Sequence, residues 1–505
     1  MRQFDELLRL ISHGVQFDAY LMDAFWFDPD GGYREWRQPN WPDGPQRWLD
    51  ACAEHALIPG LWFTANTLCH LNLPAAWADS ADANEWGLCC FQGGFLADYL
   101  NVLDHWYQQG VRIFKLDFAD FTAAPPDVKA TMPVEEIRRR NEASLRGGLL
   151  DFKQTHPGAI FMGFNGFESA EYMDRTDRPM ECVLDLKWLE VFDSVYSGDP
   201  RPADVPTLPF WRSVDIYGDH ATRTLEHSGV PLSRIDNCGF MAGPTGTCYW
   251  RGKALWKGML LLTMVRGGDL TVLYGDLSLF DDGDARWMAN AQAVLETAFR
   301  TGGSVSFGGI PGEEEPYGWM VGEKICAVIN PKPEPSTLDL PDAPWRVLFR
   351  DAGFEPTLDR VANSIELGPY QMALLGIEGP NLGMQDDCVS EVRISADYEV
   401  IERLPAKLTA RTKPGDLELI VRQFDAERKL CRTYSGSESA AAAIRLTVSQ
   451  DGTDLCVTRH DNRIIWSGMS WAAAAVSAPG GGDVEISLMA TDPQVAFLDL
   501  EVWRK

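Results

Sequence analysis

Through the first three hundred residues, short apolar runs alternate with stretches whose apolar residues recur every three to four positions. Residues 3–13 predict a short amphipathic helix. Phe17 to Asp23 reads as a strand and closes on Asp23. Residues 45–56 predict a helix with Trp48, Leu49 and Cys52 on one face, and Leu57 to Phe63 predicts the next strand. Strand, loop, helix, strand is the unit of a parallel sheet. The alternation continues with a weak strand at 87–90, a helix at 95–109, a strand at 110–118, a helix at 133–155 and a strand at 159–165. Strands at 191–199, 231–236 and 270–274 follow, with helices at 212–228, 251–265 and 283–299. Eight such units predict an α/β chain built on a (β/α)8 TIM barrel over residues 1–300.

After Thr301-Gly302-Gly303 the helical period disappears. Residues 324–330, 345–349 and 372–377 read as short strands and predict a small antiparallel β-sandwich over 301–380. Gly379-Pro380-Asn381-Leu382-Gly383 reads as a linker. Residues 385–505 predict a second β-rich domain, jelly-roll-like, with strands at 417–421, 443–448 and 484–488.

Composition narrows the class. The 505 residues carry 45 Lys and Arg against 73 Asp and Glu, a net charge of −28. Such a surface repels nucleic acid and anionic membrane, so neither is an expected partner. No run of eighteen apolar residues predicts a membrane span. The polar start, Met1 to Leu8, has no signal-peptide core. The eleven cysteines are irregularly spaced with no C-x-x-C pair, which fits reduced thiols in a cytoplasm rather than a disulfide or zinc framework. No cofactor or metal is expected: Phe280 to Asp284 lacks a calcium ladder and reads as a helix cap, and Cys89-Cys90 reads as core.

Candidate chemistry lies at the ends of the apolar runs. Phe114-Lys115-Leu116-Asp117-Phe118 puts a Lys and an Asp at the carboxyl end of a strand that is otherwise apolar. Burying two charges is costly unless they pair or react. In an α/β barrel that end faces the active-site mouth. Asp23, Asp117, Asp199 and Asp236 all close an apolar run. A helix cap would account for any one of them, whereas a polar pocket at the barrel mouth accounts for all four. Paired carboxylates are the minimum for glycoside hydrolysis, one as nucleophile and one as proton donor.

At these residues the chain resembles the retaining α-glycosidase clan of glycoside hydrolase families 27, 31 and 36. Phe114 to Phe118 resembles the fourth-strand nucleophile motif, and Val195-Tyr196-Ser197-Gly198-Asp199 the sixth-strand acid/base motif. Ser228-Gly229-Val230-Pro231 with Asp236-Asn237-Cys238-Gly239-Phe240 is similar to the next strand in family 31. Asp23 and Trp26 resemble the sugar-binding acid and aromatic of the first strand. The resemblance covers about residues 15–300 and implies Asp117 as nucleophile and Asp199 as acid/base. It implies sugar contacts by Asp23, pocket walls from Trp26 and Trp62, and a Lys115 that keeps the nucleophile ionised and meets a hydroxyl. Asn165 and Asp236, at the ends of their own strands, join the expected substrate-binding set. Arg212 and Asp215 form a rival, because Trp211-Arg212-Ser213-Val214-Asp215 resembles the stretch before the family-27 acid/base, with one residue fewer.

The expectation is therefore a retaining α-glycoside hydrolase acting on an oligosaccharide or α-glycoside, with α-galactosidase first. An α-glucosidase or α-xylosidase, a transglycosidase, and a non-catalytic carbohydrate-binding barrel are the alternatives. Many relatives in families 31 and 36 carry a β-domain before the barrel. Here the first strand begins near residue 16, so that domain is expected to be absent, and a homo-oligomer could supply the wall it provides.

Overall fold

A computed structural model describes the chain except residues 1, 39, 168–183, 198–209, 237–239, 244–252, 254, 312–314, 332–334, 352–359, 362, 369, 386–405, 413–414, 426–443, 456, 464–468, 479–481, 491–494 and 505. The first element is helix α1 (Arg2–Ser12), which buries Phe4, Leu7 and Leu10 at helical spacing. Strand β1 (Ala19–Met22), helix α2 (Gln46–Glu54) and strand β2 (Ile58–Thr64) follow. Helix α3 (Phe95–Gln108) leads into β3 (Ile113–Asp117), of which all five residues are buried. The short α4 (Pro126–Lys129) and the long α5 (Val134–Thr155) precede β4 (Ile160–Gly163). Pro133 before α5 and Glu135 and Glu136 in its first turn suit a helix start. The series continues with β5 (Ser194–Tyr196), α6 (Phe210–His227), β6 (Ile235–Asp236) and β7 (Phe240–Ala242). Helix α7 (Trp256–Val265), β8 (Leu273–Gly275) and α8 (Asp282–Phe299) close this part. Asp281 and Asp284 cap α8 reciprocally, so the 280–284 turn is the helix cap that its sequence predicts.

Strands β1 to β6 form one parallel sheet in chain order, and β7 pairs with β8 in parallel. This is the expected α/β barrel, reached with two changes. Residues 87–90 are not a parallel strand: Gly87 and Leu88 make antiparallel bridges to Thr67 and Ala81, and β2 pairs directly with β3. The Asp117 strand is thus third in the sheet. The second change is at β6 and β7, where residues 237–239 leave no room for a helix. Pro231 to Arg234, expected as strand, precede β6 mostly as a 3-10 turn over Leu232–Arg234.

Alternation along the strands separates two apolar layers. Ile113, Met162, Phe164 and Tyr196 pack inside with Ala19, Leu21, Ile58, Ile160, Leu270 and Val272. Leu61, Phe63, Phe114, Leu116, Phe161 and Val195 point outward into the larger core under the helices. Both faces are covered, which is why these strands read as near-continuous apolar runs.

Beyond the barrel the chain is β-structure. Strands β9 (Ser304–Gly308), β10 (Tyr317–Val321) and β11 (Ile325–Ile329) are followed by β12 (Ser336–Asp339), β13 (Trp345–Asp351) and β14 (Arg360–Val361). After them come β15 (Ser364–Leu367), β16 (Met372–Gly376) and β17 (Gly383–Gln385). Seven of these make one sheet in the order β14-β13-β16-β11-β10-β9, with β17 beside β13, and β12 pairs with β15. One face of the sheet packs on the barrel through Tyr317, Trp319, Leu374, Leu261 and Leu295. The other packs Cys326, Val328 and Leu375 under Leu338 and Ile365 of the β12–β15 pair. Residues 406–504 add two four-stranded sheets. No helix among the described residues is long and apolar enough to cross a membrane.

Candidate active site

The register sets the site's level. Trp62 lies beside Lys115 and Thr64 beside Asp117 across β2 and β3, and Leu116 lies beside Gly163 across β3 and β4. Gly163 pairs with Val195, and Tyr196 with Asp236. One step beyond, Asp117, Phe164, Tyr196 and Asp236 therefore occupy one row at the carboxyl end of the sheet. Tyr196 stacks on Phe164 at 4.5 Å between ring centroids, so two aromatic rings stand in this row between Asp117 and Asp236. Asp117 is 6% exposed and Asp236 2%.

The Asp117 carboxylate is held by four donors. Its Oδ1 accepts from the Phe118 backbone N–H at 2.9 Å, the Asn165 backbone N–H at 3.2 Å and Asn165 Nδ2 at 2.8 Å. Its Oδ2 accepts from Trp62 Nε1 at 3.1 Å. Burial raises the Asp117 carboxyl above the ordinary carboxylate range; the charge of Lys115 and the donors Asn165 and Trp62 pull it back, while Asp23 adds to the rise. Local backbone geometry serves this arrangement. Phe118 sits at φ 49°, turning the chain sharply after the strand. Gly166 sits at φ 99°, and a Cβ there would lie 2.3 Å from the Ala119 carbonyl oxygen. Only glycine lets the loop after β4 press on the loop after β3, where the Ala119 N–H donates to the Asn165 carbonyl at 2.9 Å.

Lys115 shares the inner face with Asp117. Its Nζ donates to Asp23 Oδ2 at 2.8 Å and lies 4.0 Å from the centre of the Phe164 ring. Lys115 favours the ionised form of Asp117 through its charge, while its salt bridge goes to Asp23. Together the described residues place three carboxylates and one ammonium at the mouth.

Other expectations change on inspection of burial. Trp62 is 1% exposed and reaches the site through its N–H, with its ring stacked on Phe27 at 6.0 Å. Trp26 is 2% exposed and donates its indole N–H to the Trp62 carbonyl at 2.8 Å, amid Phe63, Trp36 and Trp106. It supports Trp62 from behind and, though nearly buried, contributes to the lining of a groove beside Asp23 and Phe25. Arg212 and Asp215 are 0% and 3% exposed. Arg212 Nη1 donates to Asp215 at 3.0 Å, its Nε to the Tyr370 carbonyl at 3.0 Å, and its Nη2 pairs with Asp351 of β13. This guanidinium ties α6 to the sheet beyond the barrel, so neither the expected sugar contact of Arg212 nor the rival acid role of Asp215 fits its place. Asp199 lies outside the described residues, three positions past the end of β5.

Sequence reasoning passed over two residues at this mouth. Phe25, two positions after Asp23, is 49% exposed at φ 73°. His70, at φ 64°, packs on it with ring centroids 4.4 Å apart and lies 6.3 Å from Trp62. No motif marks either position. The segment carrying His70 is laced to the loop after β3: Asn66 Nδ2 donates to the Leu88 and Asp120 carbonyls at 2.8 and 2.7 Å.

No family model and no curated protein matches the chain. Solved structures that resemble it include a variant of trehalulose synthase MutB in complex with Tris, at 12% identity and a TM-score of 0.49, covering 74% of this chain and 94% of that one. A family-27 β-L-arabinopyranosidase from Geobacillus stearothermophilus is similar at 13% identity and a TM-score of 0.47, covering 74% and 91%. The debranching enzyme of Nostoc punctiforme is similar at 12% identity and a TM-score of 0.43, covering 74% and 87%.

Proposed function

We propose that the chain is a retaining α-glycoside hydrolase with Asp117 as its nucleophile. The observation that carries this reading is the Asp117 carboxylate itself, buried at the carboxyl end of β3 and oriented by Trp62 and Asn165. Among the described residues three donors occupy Oδ1 and one occupies Oδ2, and Oδ2 is the attacking atom in this reading. Oδ2 forms a bond to the anomeric carbon as the bond to the leaving oxygen breaks. Asp199, three positions after β5 in the sequence, gives its proton to that oxygen. It then takes a proton from the water that opens the glycosyl ester. Among the described residues, the carboxylates Asp23, Asp117 and Asp236 gather around Lys115, which favours the positive charge that develops on the sugar ring. Asp23, held by Lys115, and Asn165 are our choice for sugar hydroxyls.

Within this reading α-galactosides are the first choice of substrate, on the strength of Asp23 at the end of the first strand and the β-structure that follows the barrel. The barrel of residues 1–300 is the catalytic unit, and the β-regions 301–380 and 385–505 are separate domains. The experiment is a screen of nitrophenyl α-glycosides with the wild type, Asp117→Ala and Asp199→Ala. Release from an α-sugar that both substitutions abolish supports the proposal. No release from any α-sugar by the wild type removes it.

A further inference from the structure

Phe25 and His70 are two described residues near the mouth that the catalytic reading does not use. Both are non-glycine residues in left-handed backbone conformations, at φ 73° and 64°. Each such position costs of order 1 kcal/mol and persists where its surroundings impose it. Here the result is a specific pairing: the two rings meet at 4.4 Å with 44° between their planes. The Arg37 guanidinium lies 5.7 Å from the Phe25 ring centre on the loop after β1. Phe25 nevertheless stays 49% exposed, large for an aromatic with so many contacts.

The pair sits just outside the reacting groups. His70 is 6.3 Å from Trp62, whose N–H holds Asp117. Burial and Arg37 lower the His70 imidazole from its usual range, and the Asp117 charge opposes them, which places His70 within electrostatic reach of the nucleophile. Phe25 also lines a groove of about 300 Å³, together with Phe4, Tyr20, Asp23, Trp26 and Trp41. That volume is at the lower end for small-molecule sites, enough for one further ring.

We infer that Phe25, braced by His70, is the stacking platform for the leaving-group side of the substrate, the sugar or aromatic ring attached through the bond that breaks. A half-exposed aromatic ring suits the C–H face of a sugar ring or a flat aglycone, and a ring immobilised by a neighbour loses little entropy on binding. The groove beyond Phe25 receives the far edge of that ring. This inference rests on the hydrolase reading and adds which residues select the leaving group.

The experiment compares two substrates of one sugar, the glycosyl fluoride, whose leaving group has no ring, and the nitrophenyl glycoside. The readout is the ratio of kcat/KM for the nitrophenyl glycoside to kcat/KM for the fluoride. Phe25→Ala lowers this ratio about tenfold, a contribution in the range of one aromatic contact. His70→Ala lowers it by a smaller factor through KM, and Phe25→Trp keeps it near the wild-type value. A ratio unchanged in Phe25→Ala and His70→Ala overturns the platform while leaving the hydrolase reading intact. Equal losses on both substrates also overturn it, since the residues would then support the nucleophile or the fold. No turnover of either substrate by the wild type sinks the hydrolase reading and the platform with it.

Discussion

Trp62 donates its indole N–H to Oδ2 of Asp117 at 3.1 Å, from one strand to the next. The bond joins a ring fixed in the core to the carboxylate at the mouth. A hydrogen bond to a buried charge is worth about 1.5–3 kcal/mol. Trp62→Phe keeps the ring and removes the donor. Asp117 then holds its proton more tightly, so the acid limb of the pH profile of kcat/KM moves to higher pH. The rate at neutral pH falls by about tenfold or more. A pH–rate profile of the variant checks both.

The raised Asp117 carboxyl also has a stability consequence. Its folded pKa lies above the unfolded value, so the folded state binds the proton more tightly. Ionisation therefore costs stability, and the loss develops as pH rises from about 3.9 through the folded pKa. Asp117→Asn does not ionise. Urea unfolding at several pH values shows the wild type losing stability relative to Asp117→Asn as pH rises across that window.

Lys115→Met removes the partner of Asp23 and the cation that stabilises ionised Asp117. Asp23 keeps partial access to water, so the stability cost is moderate, about 1–3 kcal/mol. The acid limb of kcat/KM moves up in pH, as in Trp62→Phe. Denaturant unfolding and a pH–rate profile measure the two effects separately.

Asp215 and Asp199 are separated by their expected failures. Arg212→Met takes the guanidinium from two buried carboxylates and destabilises the protein by about 3–5 kcal/mol. Asp215→Asn likewise lowers the unfolding free energy, while kcat of the folded protein stays within about tenfold of wild type, less than the loss of a general acid brings. Asp199→Asn lowers kcat by about 100-fold or more with little change in stability. The reverse pattern would return the acid role to Asp215.

Gly166→Ala introduces a Cβ at φ 99° against the Ala119 carbonyl. The backbone must shift, and Asn165 moves with it. Stability falls by about 2–4 kcal/mol and kcat falls with it. Thermal unfolding and steady-state kinetics on the folded fraction test the pair of effects.

Much of the barrel was legible because its strands are covered on both faces. The run around Ile113 to Asp117 is apolar except where it reaches the mouth, so Lys115 and Asp117 stand out against it. Local pattern misled at 87–90, because Gly87-Leu88-Cys89-Cys90 is as apolar as a strand. In the fold it lies against the loop after β3, where a Cβ on Gly87 would meet Ala123 at 2.4 Å. Trp26 follows an acid at a strand end and so resembles a pocket wall, but its ring turns into the aromatic core. Arg212 was illegible for a different reason. Its partner Asp351 lies 139 residues away on another sheet, and no spacing along the chain announces that contact. His70 carries no signal at all, since it meets Phe25 only through two left-handed turns.

The central claim is that Asp117 forms a covalent bond to the sugar. A mechanism-based 2-deoxy-2-fluoro or 5-fluoro α-glycosyl fluoride of the preferred sugar slows hydrolysis of the glycosyl ester and lets it accumulate. Mass spectrometry of the labelled, protease-digested protein then locates it. The account predicts a glycosyl adduct on the peptide containing Asp117 and its absence in Asp117→Asn. Time-dependent inactivation with the adduct on a different carboxylate, or turnover of α-glycosides by Asp117→Asn at the wild-type rate, would contradict it.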